Sequence, residues 1–354
     1  MTTDESIAYR GLHAPRDPVD SERLIAWMRD HLEGFSGPLR IEQFKGGQSN
    51  PTYKLTAGSG QYVLRRKPSG HLLPSAHAVD REFRVLRALA ATAVPVPEVL
   101  ALCDDVEVIG SMFYVMRFVG GRVFWDQRLP ELSRGGRAAL FESMNATIAA
   151  LHGIEPDEVG LGDFGRPGHY MARQVARWSK QYHAAETAPI EAMDRLIDWL
   201  PRHLPPEVGT RIVHGDFRLD NVIIHASEPR VIAVLDWELS TLGDPLADFA
   251  YHAMSWRLEP DLFRGLAGVD LAALGIPDEA AYLRSYHART GLDPGPHWEF
   301  YMVYSLFRIA AILQGIAKRA LDGTAANATA TELGQKAAPI AARAWSLATA
   351  NSGG

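Results

Sequence analysis

The stretch that most constrains this chain is "IVHGDFRLDNVIIHASEPRVIAVLDWELSTLGDPLAD", Ile212 to Asp248. It places several aspartates and an asparagine around two apolar runs, "NVII" and "VIAVLD". Carboxylates beside buried strands are costly unless a cation or a hydrogen-bond network compensates them. The two runs flank His225 to Arg230 and read as a β-hairpin. Asn221 stands just before the first strand and Asp236 ends the second, so antiparallel pairing brings their backbones to within about 5 Å. Asp216 lies one loop upstream. Three oxygen-bearing side chains at one end of a hairpin suit a hard divalent cation, for which Mg²⁺ is the natural candidate. The negative charge is then arranged for metal ions and the phosphates they escort.

The rest of the chain supplies the setting. "VDSERLIAWMRDHLEGF" has Leu24, Ile25, Met28 and Leu32 at helical spacing, with Asp20 or Ser21 as a cap and Gly34 near the stop. "LRIEQFKGGQSNPTYKLTAGSGQYVLRRKP" alternates, turns at Gly58-Ser59-Gly60 and alternates again, which predicts a small antiparallel sheet. A helix over "AHAVDREFRVLRALAAT" and two β-rich runs, "VPVPEVLALCDD" and "VEVIGSMFYVMRFV", follow. After Gly120-Gly121 the patterns turn helical, apart from the hairpin, and an Ala-rich tail from Leu321 predicts one or two further helices. The expectation is an α+β chain with a β-rich part over residues 1–119 and a mainly helical part over 120–354.

Charge and composition exclude several classes. One cysteine, Cys103, permits no internal disulfide and no cysteine-rich zinc site, and reads as a small buried residue. The polar start "MTTDESIAYR" lacks the basic and apolar segments of a secretory signal, so the expected location is the cytoplasm. "FYMVYSLFRIAAILQGIAKR" is interrupted by Arg308 and Gln314, and no membrane helix is expected. A net charge of −6 with no long basic run argues against nucleic acid as the main partner and favours a small molecule.

"HGDFRLDN" matches HxDxxxxN, the catalytic-loop pattern of protein kinases and their small-molecule relatives, and "VLDWE" places an aspartate where their second metal ligand follows a hairpin. With "FKGGQSNPTYKL", "YVLRRKP", "LLPSAHAVDREFRVL", "FYVMRFVGGRVF" and "GDFGRPGHYMARQVARWSKQY", the chain from Phe44 to Arg319 resembles the aminoglycoside phosphotransferase and choline kinase superfamily. Within it, the likeness is to the kinase-like domains associated with acyl-CoA dehydrogenases. The resemblance implies a protein-kinase-like bilobal fold, with a small antiparallel β-sheet N-lobe (1–119) and a larger helical C-lobe (120–354), that uses ATP and Mg²⁺. It implies that Asp216 orients and deprotonates an acceptor hydroxyl and that Asn221 and Asp236 bind Mg²⁺. Gly46, Gly47, Ser49 and Asn50 would turn over the nucleotide phosphates, and the backbone of Arg117, Phe118 and Val119 would face adenine. His214 would brace the loop, as would Asp244 or Asp248.

The family usually has a lysine or arginine at the position of Arg65. Alternation puts Val63, Arg65 and Lys67 on one strand face, so Arg65 or Lys67 could reach the phosphates, with Arg65 preferred and Glu82 holding it. For the acceptor, residues 300–354 contain only Asp322 and Glu332 as acids, against Arg308, Lys318, Arg319, Lys336 and Arg343. A polycationic antibiotic wants the reverse. Arg308 shares a helical face with Tyr301 and Tyr304 and could meet an anionic group, or be satisfied by a carbonyl or a neighbouring acid. The resemblance implies a hydroxylated acyl acceptor, either free or as its CoA thioester. The alternatives are an aminoglycoside or amino-alcohol phosphotransferase, a non-catalytic nucleotide-binding module, and a metal-dependent hydrolase using His214 and Asp216, which needs further ligand histidines.

Overall fold

The computed structural model of the chain describes residues 11–15, 19–45, 50–68, 78–293, 295–323 and 329–350. Its strands are β1 (Leu12–His13), β2 (Arg40–Phe44), β3 (Thr52–Ala57), β4 (Gly60–Arg66), β5 (Val99–Cys103), β6 (Phe113–Arg117), β7 (Arg211–Val213), β8 (Val222–Ile224), β9 (Val231–Val234) and β10 (Thr241–Gly243). The chain divides into two compact units, Met1–Phe124 with Arg218–Ser240, and Trp125–Phe217 with Thr241–Gly354.

The first unit carries a six-stranded antiparallel sheet in the order β1-β2-β3-β4-β6-β5. The helix Ser21–His31 starts where Asp20 accepts from the amides of Glu22 and Arg23, and it buries Leu24, Trp27 and Met28. These pack with Tyr53, Leu55, Leu64, Phe113 and Val115 into one apolar cluster that includes Cys103. A second helix, Val79–Leu89, buries Val79, Glu82, Val85, Leu86 and Leu89, a helical stripe with one carboxylate in it.

The predicted hairpin forms as β8 and β9, with Val222 opposite Val234. It is tied to the segment after β6 through Arg122, whose amide donates to the Ile224 carbonyl and whose carbonyl accepts from the Ile224 amide. Gly121 makes that approach possible, because a Cβ there would lie 2.4 Å from the Ile224 carbonyl oxygen.

One expectation fails locally. "VEVI" reads as β from its branched residues, yet Val106–Ile109 is a short helix. Asp105 caps it by accepting from the Glu107 amide, and Gly110 ends it at a φ of 84°. Capping at both ends outweighs the strand preference of two valines and an isoleucine.

The second unit is helical around Trp298–Leu321, which packs against the helices Tyr170–Ala185, Pro245–Ala253, Ala330–Gln335 and Ala337–Ala350. By length and composition this helix could cross a membrane, but 78% of the qualifying window is buried inside the protein. It is a core helix, and its buried Gln314 donates to the Ala185 carbonyl and the Thr187 hydroxyl. A second feature absent from the sequence expectation is the pairing of β7 with β10.

His252, on the helix Pro245–Ala253, is buried among the rings of Phe217, Phe249 and Trp256, and its Nε2 lies 2.7 Å from the Tyr282 hydroxyl. Burial pushes its pKa down from 6.5 to about 4. Between those values the unfolded chain binds the proton and the folded chain does not, so the folded state loses stability as pH falls through that window. The full effect is about 3 kcal/mol. Urea unfolding across this range should show that slope in the wild type and a flatter one in His252→Gln, which can still accept from Tyr282. An unchanged slope would assign the acid sensitivity to other groups.

Candidate active site

Candidate residues occur in both units, and each group is described within its own unit. In the second, β7 ends at Val213 and the chain turns through His214, Gly215 and Asp216, with Gly215 at a φ of 83°. Asp248 clamps this turn: its Oδ2 accepts from the His214 amide at 2.7 Å and its Oδ1 from the Gly215 amide at 2.8 Å. Behind Asp248 stands a buried chain in which His152 Nε2 lies 3.2 Å from Asp248 Oδ2 and His152 Nδ1 lies 2.6 Å from the Tyr286 hydroxyl. Burial alone would raise the Asp248 carboxyl, but His152, His214 and the loop amides together hold it below the usual aspartate range. The Asp216 amide donates to His214 Nδ1, so His214 faces inward and braces the turn. Asp244 does a different job. It caps the helix Pro245–Ala253 through the amides of Leu246 and Ala247 and accepts from the Tyr301 hydroxyl. Of the two aspartates considered for the brace, Asp248 is the one on the loop.

In the first unit, the Leu235 amide donates to the Asn221 carbonyl at 2.8 Å, closing the open end of the hairpin beside Asp236. Asp236 sits at a φ of 66°, a left-handed conformation uncommon outside glycine. It is fixed by its neighbours: the Trp237 indole donates to the Val234 carbonyl, and the Ser240 hydroxyl donates to the Trp237 carbonyl. Arg65 Nη2 donates to Asp236 Oδ1 at 2.6 Å and lies 3.5 Å from Glu238.

Arg65 also meets Glu82. Its Nε is 2.7 Å from Glu82 Oε2, a close ion pair whose N–H is not aimed for a hydrogen bond. Glu82 is 1% exposed, and it additionally accepts from Asn50 Nδ2 at 2.7 Å and from the Tyr114 hydroxyl at 3.1 Å. Burial pushes the Glu82 carboxyl up against the pull of Arg65. Burial would lower the Arg65 pKa, but Glu82 and Asp236 outweigh it and the guanidinium stays charged. Tyr114, raised well above its ordinary value by burial and Glu82, stays a donor. Lys67, the other cation on this strand face, lies 3.8 Å from Asp80.

The remaining predicted residues fall as follows. Gly46, Gly47 and Ser49 lie outside the described residues, whereas Asn50 is buried on Glu82. The Arg117 amide donates to the Glu98 carbonyl and the Phe118 amide to the Gln61 carbonyl, while Val119 makes no backbone hydrogen bond among the described residues. Arg308 and Tyr304 are buried in the second unit, and Arg308 Nη2 donates to the Gly215 carbonyl. Residues the sequence reading missed are Tyr114, Trp178 and His152. Each sits in a regular strand or helix pattern, where an aromatic ring reads as core.

The model of the phosphotransferase enzyme family (APH) matches residues 40–304. Mouse acyl-CoA dehydrogenase family member 10 is 49% identical over 316 residues, 89% of this chain, and the chain spans only 30% of that protein's length. A Ralstonia eutropha protein of known crystal structure, provisionally described as an aminoglycoside phosphotransferase, is 55% identical with a TM-score of 0.87, over 94% of this chain and 99% of its own. A thermostable mutant of the aminoglycoside phosphotransferase APH(4)-Ia, in a ternary complex with ADP and hygromycin B, shares the fold at 17% identity and a TM-score of 0.60, over 95% of this chain and 99% of its own. With its antiparallel sheet, embedded hairpin and helical part in protein-kinase-like order, the chain belongs to the phosphotransferase enzyme family.

Proposed function

We propose that the protein is an ATP- and Mg²⁺-dependent kinase that transfers the γ-phosphoryl group to the hydroxyl of a small acyl-bearing molecule, a hydroxy acid or hydroxyacyl-CoA. The observation that carries this reading is the buried Arg65, held between Glu82 and Asp236. A cation held by a helix carboxylate, next to the aspartate that ends a hairpin, is the arrangement kinases place beside the nucleotide phosphates. Family membership supports the reaction class, and a relative whose name places it among the acyl-CoA dehydrogenases carries the matched stretch as 30% of its length, which supports an acyl acceptor.

Asn221 and Asp236 fit a magnesium ion by the chemistry of their donors, an amide and a carboxylate oxygen from residues joined across the hairpin end. Among the described residues no group of three or more His, Cys, Asp or Glu side chains is assembled for a metal, so phosphate oxygens and water would complete the shell. When bound there, Mg²⁺ would neutralise charge on the phosphates. Arg65 grips phosphate oxygens, with Glu82 fixing its direction. Val119 offers its peptide to the adenine, since the amides of Arg117 and Phe118 are already engaged. Asp216 aligns the acceptor hydroxyl and takes its proton as the new O–P bond forms and ADP leaves.

Purified protein with ATP and Mg²⁺ should release ADP at least about tenfold faster with a hydroxyacyl-CoA or hydroxy acid than without an acceptor. Turnover confined to aminoglycosides or amino alcohols would overturn the acceptor class. No acceptor-dependent ADP across all three sets would overturn the kinase reading.

A further inference from the structure

The helical unit buries an arginine on which the charge of Asp216 acts from beyond ion-pair distance. Arg308 is 6% exposed, and no carboxylate lies within ion-pair distance of it among the described residues. Its guanidinium lies 4.3 Å from the ring centroid of Tyr251 and 5.2 Å from that of Trp178, and Nη2 donates to the carbonyl of Gly215, the residue before Asp216. Its Nε has no hydrogen-bond partner among the described residues, and the Tyr304 hydroxyl finds no acceptor there, while the Trp178 indole N–H lies beside that hydroxyl as a donor. All three side chains are more than nine-tenths buried. Tyr304 and Arg308 are four residues apart on the helix Trp298–Leu321 and share a face, and Trp178 comes from Tyr170–Ala185, packed against it.

Such a set has a definite preference. Buried donors are nearly always matched by acceptors, and a buried cation is matched by negative charge. Burial pushes Tyr304 up to about 12 against the pull of Arg308, so its hydroxyl remains a donor at neutral pH. A buried positive charge and neighbouring donors, matched by the fold with the single backbone carbonyl of Gly215, select an oxygen-rich group and reject an amine.

We propose that Arg308, Tyr304 and Trp178 form a subsite for the acyl oxygen of the acceptor, the carboxylate of a hydroxy acid or the carbonyl of its thioester, beside the loop that carries Asp216. This rests on the reading that Asp216 serves the acceptor hydroxyl. The subsite holds the end of the molecule that does not react and thereby sets which hydroxyl is presented. Acceptors bearing an ammonium group are excluded by Arg308.

The test uses the whole protein with β-hydroxybutyrate, β-hydroxybutyryl-CoA, sec-butanol and ethanolamine as probes, in wild type, Tyr304→Phe and Trp178→Phe. Binding is read by thermal denaturation and calorimetric titration, independently of turnover. The acid or its thioester should bind and stabilise the wild type, sec-butanol and ethanolamine should not, and each variant should weaken that binding about tenfold. In turnover the same variants should raise the acceptor KM about tenfold, with kcat changed less than about threefold and the KM for ATP less than about twofold. Whichever of the acid and thioester binds more tightly identifies the source of the acyl oxygen. Variants that bind as the wild type does, preference for ethanolamine, or no binding of either acyl probe would overturn the subsite. Binding that depends on Tyr304 but yields no ADP would instead overturn the phosphotransfer reading alone.

Discussion

Asp216→Asn should reduce kcat by about a thousandfold while leaving the affinity for ATP within about twofold. The reason lies in how the loop is held. Its shape is set by bonds to the backbone: Asp248 on the amides of His214 and Gly215, Arg308 on the Gly215 carbonyl, and the Asp216 amide on His214 Nδ1. None of these uses the Asp216 carboxylate, so an amide of the same shape leaves them in place while losing the negative charge and the capacity to take a proton. Single-turnover phosphorylation with a working acceptor, alongside a melting curve, separates the two effects. A variant that melts with the wild type and retains activity within about tenfold would remove Asp216 from the role of base.

The second large effect is expected at Glu82. Glu82→Ala would strip partners from Arg65, Asn50 and Tyr114 at once, in a pocket where Glu82 itself is 1% exposed. Removing one member of a buried ion pair costs about 3–5 kcal/mol because the remaining charge is stranded. Asp236 and Glu238 still face Arg65, which places the expectation near the lower end, about 3 kcal/mol. For a chain of this size that corresponds to a fall in Tm of roughly 4 °C. Glu82→Gln, which keeps the neutral hydrogen bonds, should fall between. The KM for ATP should rise about tenfold in Glu82→Ala, since Arg65 would no longer be aimed by a helix. An alanine variant with an unchanged melting curve would mean that the three carboxylates around Arg65 are interchangeable.

Much of this site was legible in the sequence, for a local reason. Asn221 and Asp236 flank two short apolar runs with a polar turn between them, and a hairpin of that kind fixes its own register. The helix that bears Glu82 was equally plain in its spacing, although only burial shows that Glu82 lies in the apolar stripe and takes Arg65 rather than a local partner. The pairing of β7 with β10 could not be read because each strand has three residues and the partners are far apart in the chain. "VEVI" misled because propensity was weighed without the caps on either side. The role of Trp178 was hidden since an indole on a helical stripe looks the same whether its N–H is used or only its ring.

The division of the chain has a consequence for its synthesis. The first unit is built from residues up to Phe124 together with Arg218–Ser240, so the ribosome delivers it in two instalments separated by a long helical stretch. A nascent chain that has reached only Phe124 possesses Arg65 and Glu82 but neither Asp236 nor Glu238, and Gly121 has no β8 to approach. Until Ser240 emerges, that unit must wait with an incompletely matched cation and an unpaired backbone segment at Arg122. Truncation at the apparent joint after Phe124 would therefore yield an unfinished piece, not a small independent domain.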